Sequence, residues 1–342
     1  MATWYAQKGS RNIDSVSGGS TSDVWNPAGA VMMVGWSGPD CYTADGALAA
    51  IARFNPVGVI LYARNVHPEA DGFAQTLERI RSAPTAPLLF VDQEGGRVSR
   101  LPVLSGQPAP RALADEAAAY GAALEAGRAL KAIGIDCNLA PVLDVADTGP
   151  MASRSYGGSA ERVAALGAAT IRGYRDAGVA CCAKHFPGLG HASVDPHVAA
   201  PVVDLDADTL RQRDLLPFAE AIKAGVDCVM VAHATYTALD SRLATYSRVL
   251  IGDVLRGELG FSGVVVTDSL DMAPIIEGVG PGEAAVRAIE AGCDLLCLPH
   301  NAQTQQQCFD ALGSAVREGR ISEERIAESA ARIARLRRPA DG

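Results

Sequence analysis

The sequence predicts an α/β protein folded as a single (β/α)8 barrel of the TIM type, with a C-terminal packing helix. Three observations predict it. Apolar runs of strand length occur eight times, at 30–36, 58–63, 88–92, 135–142, 179–183, 228–232, 264–267 and 294–298. Each interval between them is long enough to hold a helix. A helix-like stretch followed by glycine and then an apolar run recurs at Ile133-Gly134-Ile135, Ala177-Gly178-Val179, Ala224-Gly225-Val226 and Ala291-Gly292-Cys293. Near-continuous apolar strands alternating with helices imply a parallel sheet buried on both faces, and eight such units fit a closed barrel. A doubly wound open sheet is the structural alternative. No G-x-G-x-x-G follows the first run, which weakens a dinucleotide-binding version of it.

The elements follow in order. Residues 1–28 carry few periodic apolar residues and a Ser-Gly-Gly-Ser stretch at 17–20, so they read as a flexible N-terminal arm. The barrel is expected over 29–340. Asp115 can cap a helix whose apolar face uses Tyr120, Leu124, Leu130 and Ile133. Glycine tolerates the left-handed position that ends a helix, which explains the recurrent junctions. At the end of the chain Ser322 can cap a helix. Glu323 and Glu324 suit its positive end, and Ile326, Ala330, Ile333 and Leu336 share a face. Arg335, Arg337 and Arg338 favour its C-terminal end, so this is a packing helix rather than a basic binding patch. No second domain is expected after it.

Composition narrows the function classes. The chain has 342 residues, 48% of them hydrophobic, and a formal charge of -9. That balance argues against nucleic acid or an anionic membrane as partner. No apolar run approaches the ~18 residues of a membrane span, and the N-terminus has no apolar signal core, so a cytoplasmic location is expected. The eight cysteines fall mostly inside apolar runs and form no C-x-x-C pair. They read as reduced, buried small hydrophobes, not as a disulfide framework or a zinc site. The expected partner is a small molecule, with the chain a monomer or weak homodimer.

The long loop over 183–201 follows the fifth apolar run and holds His185, His191 and His197, three of the six histidines. Pro196 biases Asp195 towards an extended backbone, so Asp195 and His197 point the same way. The carboxylate can then orient the imidazole as a general acid/base. A surface histidine that merely hydrogen-bonds its neighbour is the competing reading.

Other polar residues abut the strand ends: Asp92, Glu94, Arg97 and Arg100 after the third, Asp144 and Arg154 after the fourth, Lys184 and His185 after the fifth, His233 after the sixth, and Asp268 and Asp271 after the seventh. A barrel gathers all of these at one mouth. Charges beside apolar strands are costly to bury unpaired, so a shared polar pocket accounts for them. The plainer readings are that Arg97 pairs with Glu94, that Asp144 and Asp271 cap turns or helices, and that His233 is a satisfied buried histidine. Asp268 ends a Val-Val-Val run with no basic residue close in sequence. A carboxylate across a pocket from a loop-borne acid/base suits glycoside hydrolysis. Lys184, Arg100 and Arg154 with Asp92 suit sugar hydroxyls.

The motifs together resemble glycoside hydrolase family 3, and within it the single-domain bacterial β-N-acetylglucosaminidases. They are G-V-I-L-Y-A-R-N at 58–65, V-D-Q-E-G-G-R-V-S-R at 91–100, A-P-V-L-D-V at 140–145, R-S-Y-G at 154–157, K-H-F-P-G at 184–188, D-P-H at 195–197 and G-F-S-G-V-V-V-T-D-S-L-D-M at 260–272. The resemblance implies Asp268 as nucleophile and His197 as acid/base with Asp195 as its partner. It implies that Asp92, Arg100, Arg154, Lys184 and His185 hold the sugar, with His233 close by. It implies no metal or other cofactor, and a sugar or muropeptide as the small-molecule substrate. Two-domain relatives take their acid/base from a second domain; here the 188–200 loop is expected to supply it. Two positions depart from the subgroup: Leu189 stands where a histidine is usual, and Pro196 replaces a serine. Alternatives stay open: a phosphorylase or a β-glucosidase of the same family, a non-catalytic sugar-binding protein, and a metal-dependent barrel hydrolase using His185, His191, Asp195 and His197.

Overall fold

The eight apolar runs form eight parallel strands that close on themselves. The computed structural model describes residues 26–192, 194 and 199–337. The arm at 1–28 therefore lies outside the described residues except for 26–28, and Asp195 and His197 lie outside them too. In chain order the strands are β1 Met32–Val34, β2 Gly58–Leu61, β3 Leu88–Val91, β4 Cys137–Asn138, β5 Ala180–Phe186, β6 Val202–Val203, β7 Cys228–Val231, β8 Thr235–Tyr236, β9 Asp240–Leu243, β10 Val264–Ser269 and β11 Leu295–Leu298. The closed barrel runs β1-β11-β10-β7-β5-β4-β3-β2, so the open-sheet alternative falls away.

Strand side chains alternate between two apolar clusters, as a period of two requires. Met33, Ile60, Phe90, Cys182, Met230 and Val266 belong to one that fills the barrel. Met32, Val34, Val59, Leu61 and Val229 belong to the other, under the helices. Gly58 is small because Phe90 fills the interior beside it: a Cβ there would lie 2.5 Å from the Phe90 ring. Every residue of the eight barrel strands is buried except Asp268 and Ser269.

The principal helices are α1 Ala44–Phe54, α2 Ala70–Arg81, α3 Glu116–Ala132, α4 Ala160–Asp176, α5 Leu216–Lys223, α6 Pro281–Ala291, α7 Ala302–Arg317 and α8 Glu323–Ala334. Asp115 caps α3 by accepting from the Ala118 N–H, and Ser322 caps α8 by accepting from the Arg325 N–H. Gly134, Gly178, Gly225 and Gly292 all have positive φ, which explains the recurrent helix–glycine–strand junction.

Helix α8 packs as expected. Ile333 and Leu336 join the apolar cluster inside the barrel. The helix is fastened by Asp294, fully buried at the start of β11, which accepts from Arg325 at 3.3 Å, Arg332 at 3.0 Å and Ser329 at 2.9 Å. None of the eight cysteines forms a disulfide, and all but Cys41 are buried.

Two features differ from the expectation. Strand β5 runs on through Lys184 and His185, which are buried strand residues and not the start of a loop. A small separate sheet, β6-β8-β9, stands outside the barrel. Its first two strands are two residues long, too short to show a period.

Candidate active site

The C-terminal ends of the barrel strands carry the polar residues. Lys184, on β5 with its side chain 2% exposed, sits at the centre. Its Nζ donates to Asp92 Oδ1 at 2.5 Å and lies 2.8 Å from Glu94 Oε1. Arg154 reaches the same carboxylate from the loop after β4, with Nη2 2.7 Å from Glu94 Oε1 and Nε 3.0 Å from Oε2. This two-point contact fixes the guanidinium plane. Burial would raise the Glu94 carboxyl, but Lys184 and Arg154 outweigh it and hold the group well below the usual carboxylate range. Burial would likewise lower Lys184; Asp92 and Glu94 instead push it well above the ordinary lysine value. Both partners of the cluster are therefore charged at neutral pH. The simple pairing of Arg97 with Glu94 does not occur: Glu94 is taken by Lys184 and Arg154, and Arg97 is exposed.

Asp144 is no local turn cap. It is fully buried and accepts His185 Nδ1–H at 2.7 Å on one oxygen. Its other oxygen accepts the Leu189 N–H at 2.7 Å and the His185 N–H at 3.3 Å. A carboxylate only accepts, so His185 carries its proton on Nδ1. Nε2 then presents a lone pair to Arg154 Nη2, 3.3 Å away. The cluster thus sets the charged donors of Lys184 and Arg154 beside the His185 ring.

Asp268 lies near the end of β10 and keeps part of its surface open. The Ser269 N–H donates to its Oδ1 at 2.7 Å. Burial pushes its carboxyl up, but His185, His233, the Ser269 N–H and Lys184 more than offset this, and it sits below the ordinary aspartate value. It is thus an ionised carboxylate open to the mouth. His233 is both the satisfied buried histidine and a neighbour of Asp268. Its Nε2–H donates to the Ser269 carbonyl at 3.0 Å, and Nδ1 lies 2.6 Å from the Thr245 hydroxyl, which itself donates to the Ala232 carbonyl at 3.0 Å. Burial lowers its pKa against the opposing pull of Asp268.

Arg100 forms a separate wall. Its guanidinium lies over the Tyr62 ring at 5.2 Å, and Arg64 lies over the same ring at 4.8 Å. Arg100 Nε is buried with no partner among the described residues. The structure thus joins Asp92, Arg154, Lys184 and His185 by direct contacts, ties His233 to Asp268 through Ser269, and leaves Arg100 against Tyr62. Among the described residues no group of three or more His, Cys, Asp or Glu side chains is placed to hold a metal ion.

The first part of the 183–201 loop is fastened beside this site. The Tyr236 hydroxyl donates to the Gly188 carbonyl at 2.8 Å. Gly190 passes so close to the chain after β4 that a Cβ would lie 2.0 Å from the Val145 carbonyl oxygen. Leu189 is buried, at 1% exposure, so the usual histidine position is here an apolar packing residue. His191 is exposed.

Glu94 and Asp144, which the sequence places at the mouth without a catalytic or sugar-holding role, hold its cationic and imidazole groups in place. Their partners lie 41 to 90 residues along the chain, so no local motif shows the pairing; the signal is only that each acid stands at a strand end.

A closed parallel barrel with its polar cluster at the C-terminal mouth defines a TIM-barrel protein with a mouth-face site. The chain belongs to glycosyl hydrolase family 3: residues 41–336 match the family described as the Glycosyl hydrolase family 3 N terminal domain. It is 34% identical over 324 residues to β-hexosaminidase A of Pseudoalteromonas piscicida, covering 84% of this chain and 54% of that protein. It is 39% identical over 246 residues to a β-hexosaminidase of Pseudomonas aeruginosa, covering 70% of this chain and 73% of that one. Among solved structures, a family 3 β-N-acetylglucosaminidase from a Paenibacillus species superposes with a TM-score of 0.86 at 41% identity, over 91% of this chain and 61% of that one. The chain thus spans about half the length of the first of these relatives and under two thirds of the Paenibacillus structure.

Proposed function

We propose that this protein is a retaining exo-β-N-acetylglucosaminidase that removes terminal, non-reducing N-acetylglucosamine from glycosides. The observation that carries the proposal is Asp268: an ionised carboxylate in the one part of the barrel strands open to the mouth, beside the Lys184 cluster. The names of the similar β-hexosaminidases and of the Paenibacillus enzyme support the choice of sugar.

In this reading Asp268 attacks the anomeric carbon while the glycosidic C–O bond breaks. His197, protonated and supported by Asp195, gives its proton to the leaving oxygen. The product is a glycosyl ester on Asp268. Neutral His197 then takes a proton from water as that water attacks the anomeric carbon, which frees Asp268 and releases the sugar with retained configuration. Asp92, Lys184, Arg154 and His185 hold the sugar hydroxyls, with Arg100 and His233 at the edge. Neither step calls for a metal or an organic cofactor. We take muropeptide fragments in the cytoplasm as the substrate.

The test compares release from an aryl β-N-acetylglucosaminide and an aryl β-glucoside, with Asp268→Ala as control. Acetamido-selective release that vanishes in the variant supports the reading. Faster release from the glucoside, or undiminished release by Asp268→Ala, contradicts it.

A further inference from the structure

We propose that the outer face of the barrel holds a second site, which binds a small phosphomonoester of about hexose size. The site is a cavity of about 330 Å³ between the segment after β9, helix α6 and the turn after α7. None of its residues belongs to the mouth.

Its lining brings Arg242, Arg248, Arg287 and Arg320 together with only Glu283 and Glu290. Those two glutamates are already engaged. Arg320 donates to both, through Nε at 2.9 Å to Glu290 and Nη1 at 2.8 Å to Glu283. Arg287 Nε also donates to Glu283, at 2.7 Å. Asp240, which stands behind Arg242, accepts from that guanidinium at 3.0 Å. Donors are left over. Arg248 spends only Nε, on the Glu290 carbonyl at 3.0 Å, and Arg287 spends only Nε. The terminal nitrogens of both have no acceptor among the described residues. The Tyr246 ring also lines the cavity, and its hydroxyl is buried without a partner among the described residues.

An excess of planar, charged donors around one cavity calls for a ligand rich in acceptor oxygens, and a phosphomonoester presents three with a charge near -2. A positive cavity also stands out on a chain of net charge -9. Its volume lies at the lower end of ligand sites, which run from about 300 Å³. Inorganic phosphate would fill only part of it, leaving room for a polar body the size of a sugar ring.

The test is calorimetric titration of the full chain with glucose 6-phosphate, inorganic phosphate and glucose at fixed ionic strength. Saturable one-to-one binding of glucose 6-phosphate is expected, weaker binding of phosphate and none of glucose. The Arg248→Gln/Arg287→Gln double variant should weaken binding by about tenfold or more. Its turnover of the aryl glycoside should stay unchanged, which checks the fold. No saturable binding to the wild type, or binding that survives the double variant and so belongs to the mouth, overturns the proposal. Equal affinity for inorganic phosphate overturns the sugar-sized body.

Discussion

Asp144→Asn perturbs the joint between the Lys184 cluster and the segment that starts at Leu189. The carboxylate accepts two bonds of 2.7 Å, from His185 Nδ1–H and the Leu189 N–H, on different oxygens. An asparagine in the same place has one acceptor and one NH2 group. One short bond survives and the other becomes a donor facing a donor. Losing one charge-assisted hydrogen bond costs about 1.5–3 kcal/mol, and the unpaired buried donor adds about 1. Taking about 3 kcal/mol, kcat/KM should fall by about 100-fold. The same lost bonds should lower the folding stability by a comparable amount. The loss in kcat/KM should also be larger for a poor leaving group than for an activated aryl glycoside, since the loop that begins at Leu189 goes on to carry His197. The assay is steady-state hydrolysis of both substrates, with thermal unfolding as the fold check. A folded variant within threefold of the wild type on both substrates would refute the reasoning.

Glu94→Gln leaves Lys184 and Arg154 without their shared carboxylate; breaking such a buried group should cost about 3–5 kcal/mol, read by urea unfolding, together with most of the activity. A loss under about 1 kcal/mol would mean that Asp92 alone suffices for Lys184. Asp214 gives a pH signature. Burial, only partly offset by Arg213, pushes its carboxyl up to about 6. It therefore binds its proton more tightly folded than unfolded, and its contribution to stability is full below about pH 4 and lost as pH rises through about 6. Asp214→Asn should flatten that part of the pH–stability curve; an unchanged curve would assign the effect elsewhere. His197→Ala should slow substrates with poor leaving groups far more than activated aryl glycosides, whereas equal losses on both would argue against an acid role.

The barrel was legible because its strands are buried on both faces and so appear as unbroken apolar runs. All eight were found this way, and the glycine junctions marked where helices stop. The end of β5 was misplaced for an instructive reason. Lys184 and His185 look like loop residues because their charges break the apolar run; they stay in the strand because Asp92, Glu94 and Asp144 neutralise or orient them. Those partners lie far away in sequence, so the chain shows the acids and the cations but not who meets whom. Asp144 looks like a turn cap in the sequence for the same reason. The readings of His233 as a satisfied core histidine and as a site neighbour proved compatible: one ring hydrogen-bonds to Thr245 and to Ser269 beside Asp268. The outer sheet was missed because β6 and β8 are too short to carry a pattern. Leu189 shows how a departure from a family motif becomes readable once its burial is known.

The central claim is that Asp268 forms a covalent bond to the sugar. It is tested most directly by treating the protein with a slow fluorinated N-acetylglucosaminyl donor and mapping the modified peptide by mass spectrometry. The account predicts one added sugar per chain, attached at Asp268 and absent from Asp268→Ala. An adduct on another residue would contradict it, as would turnover of the donor by the wild type with inverted configuration.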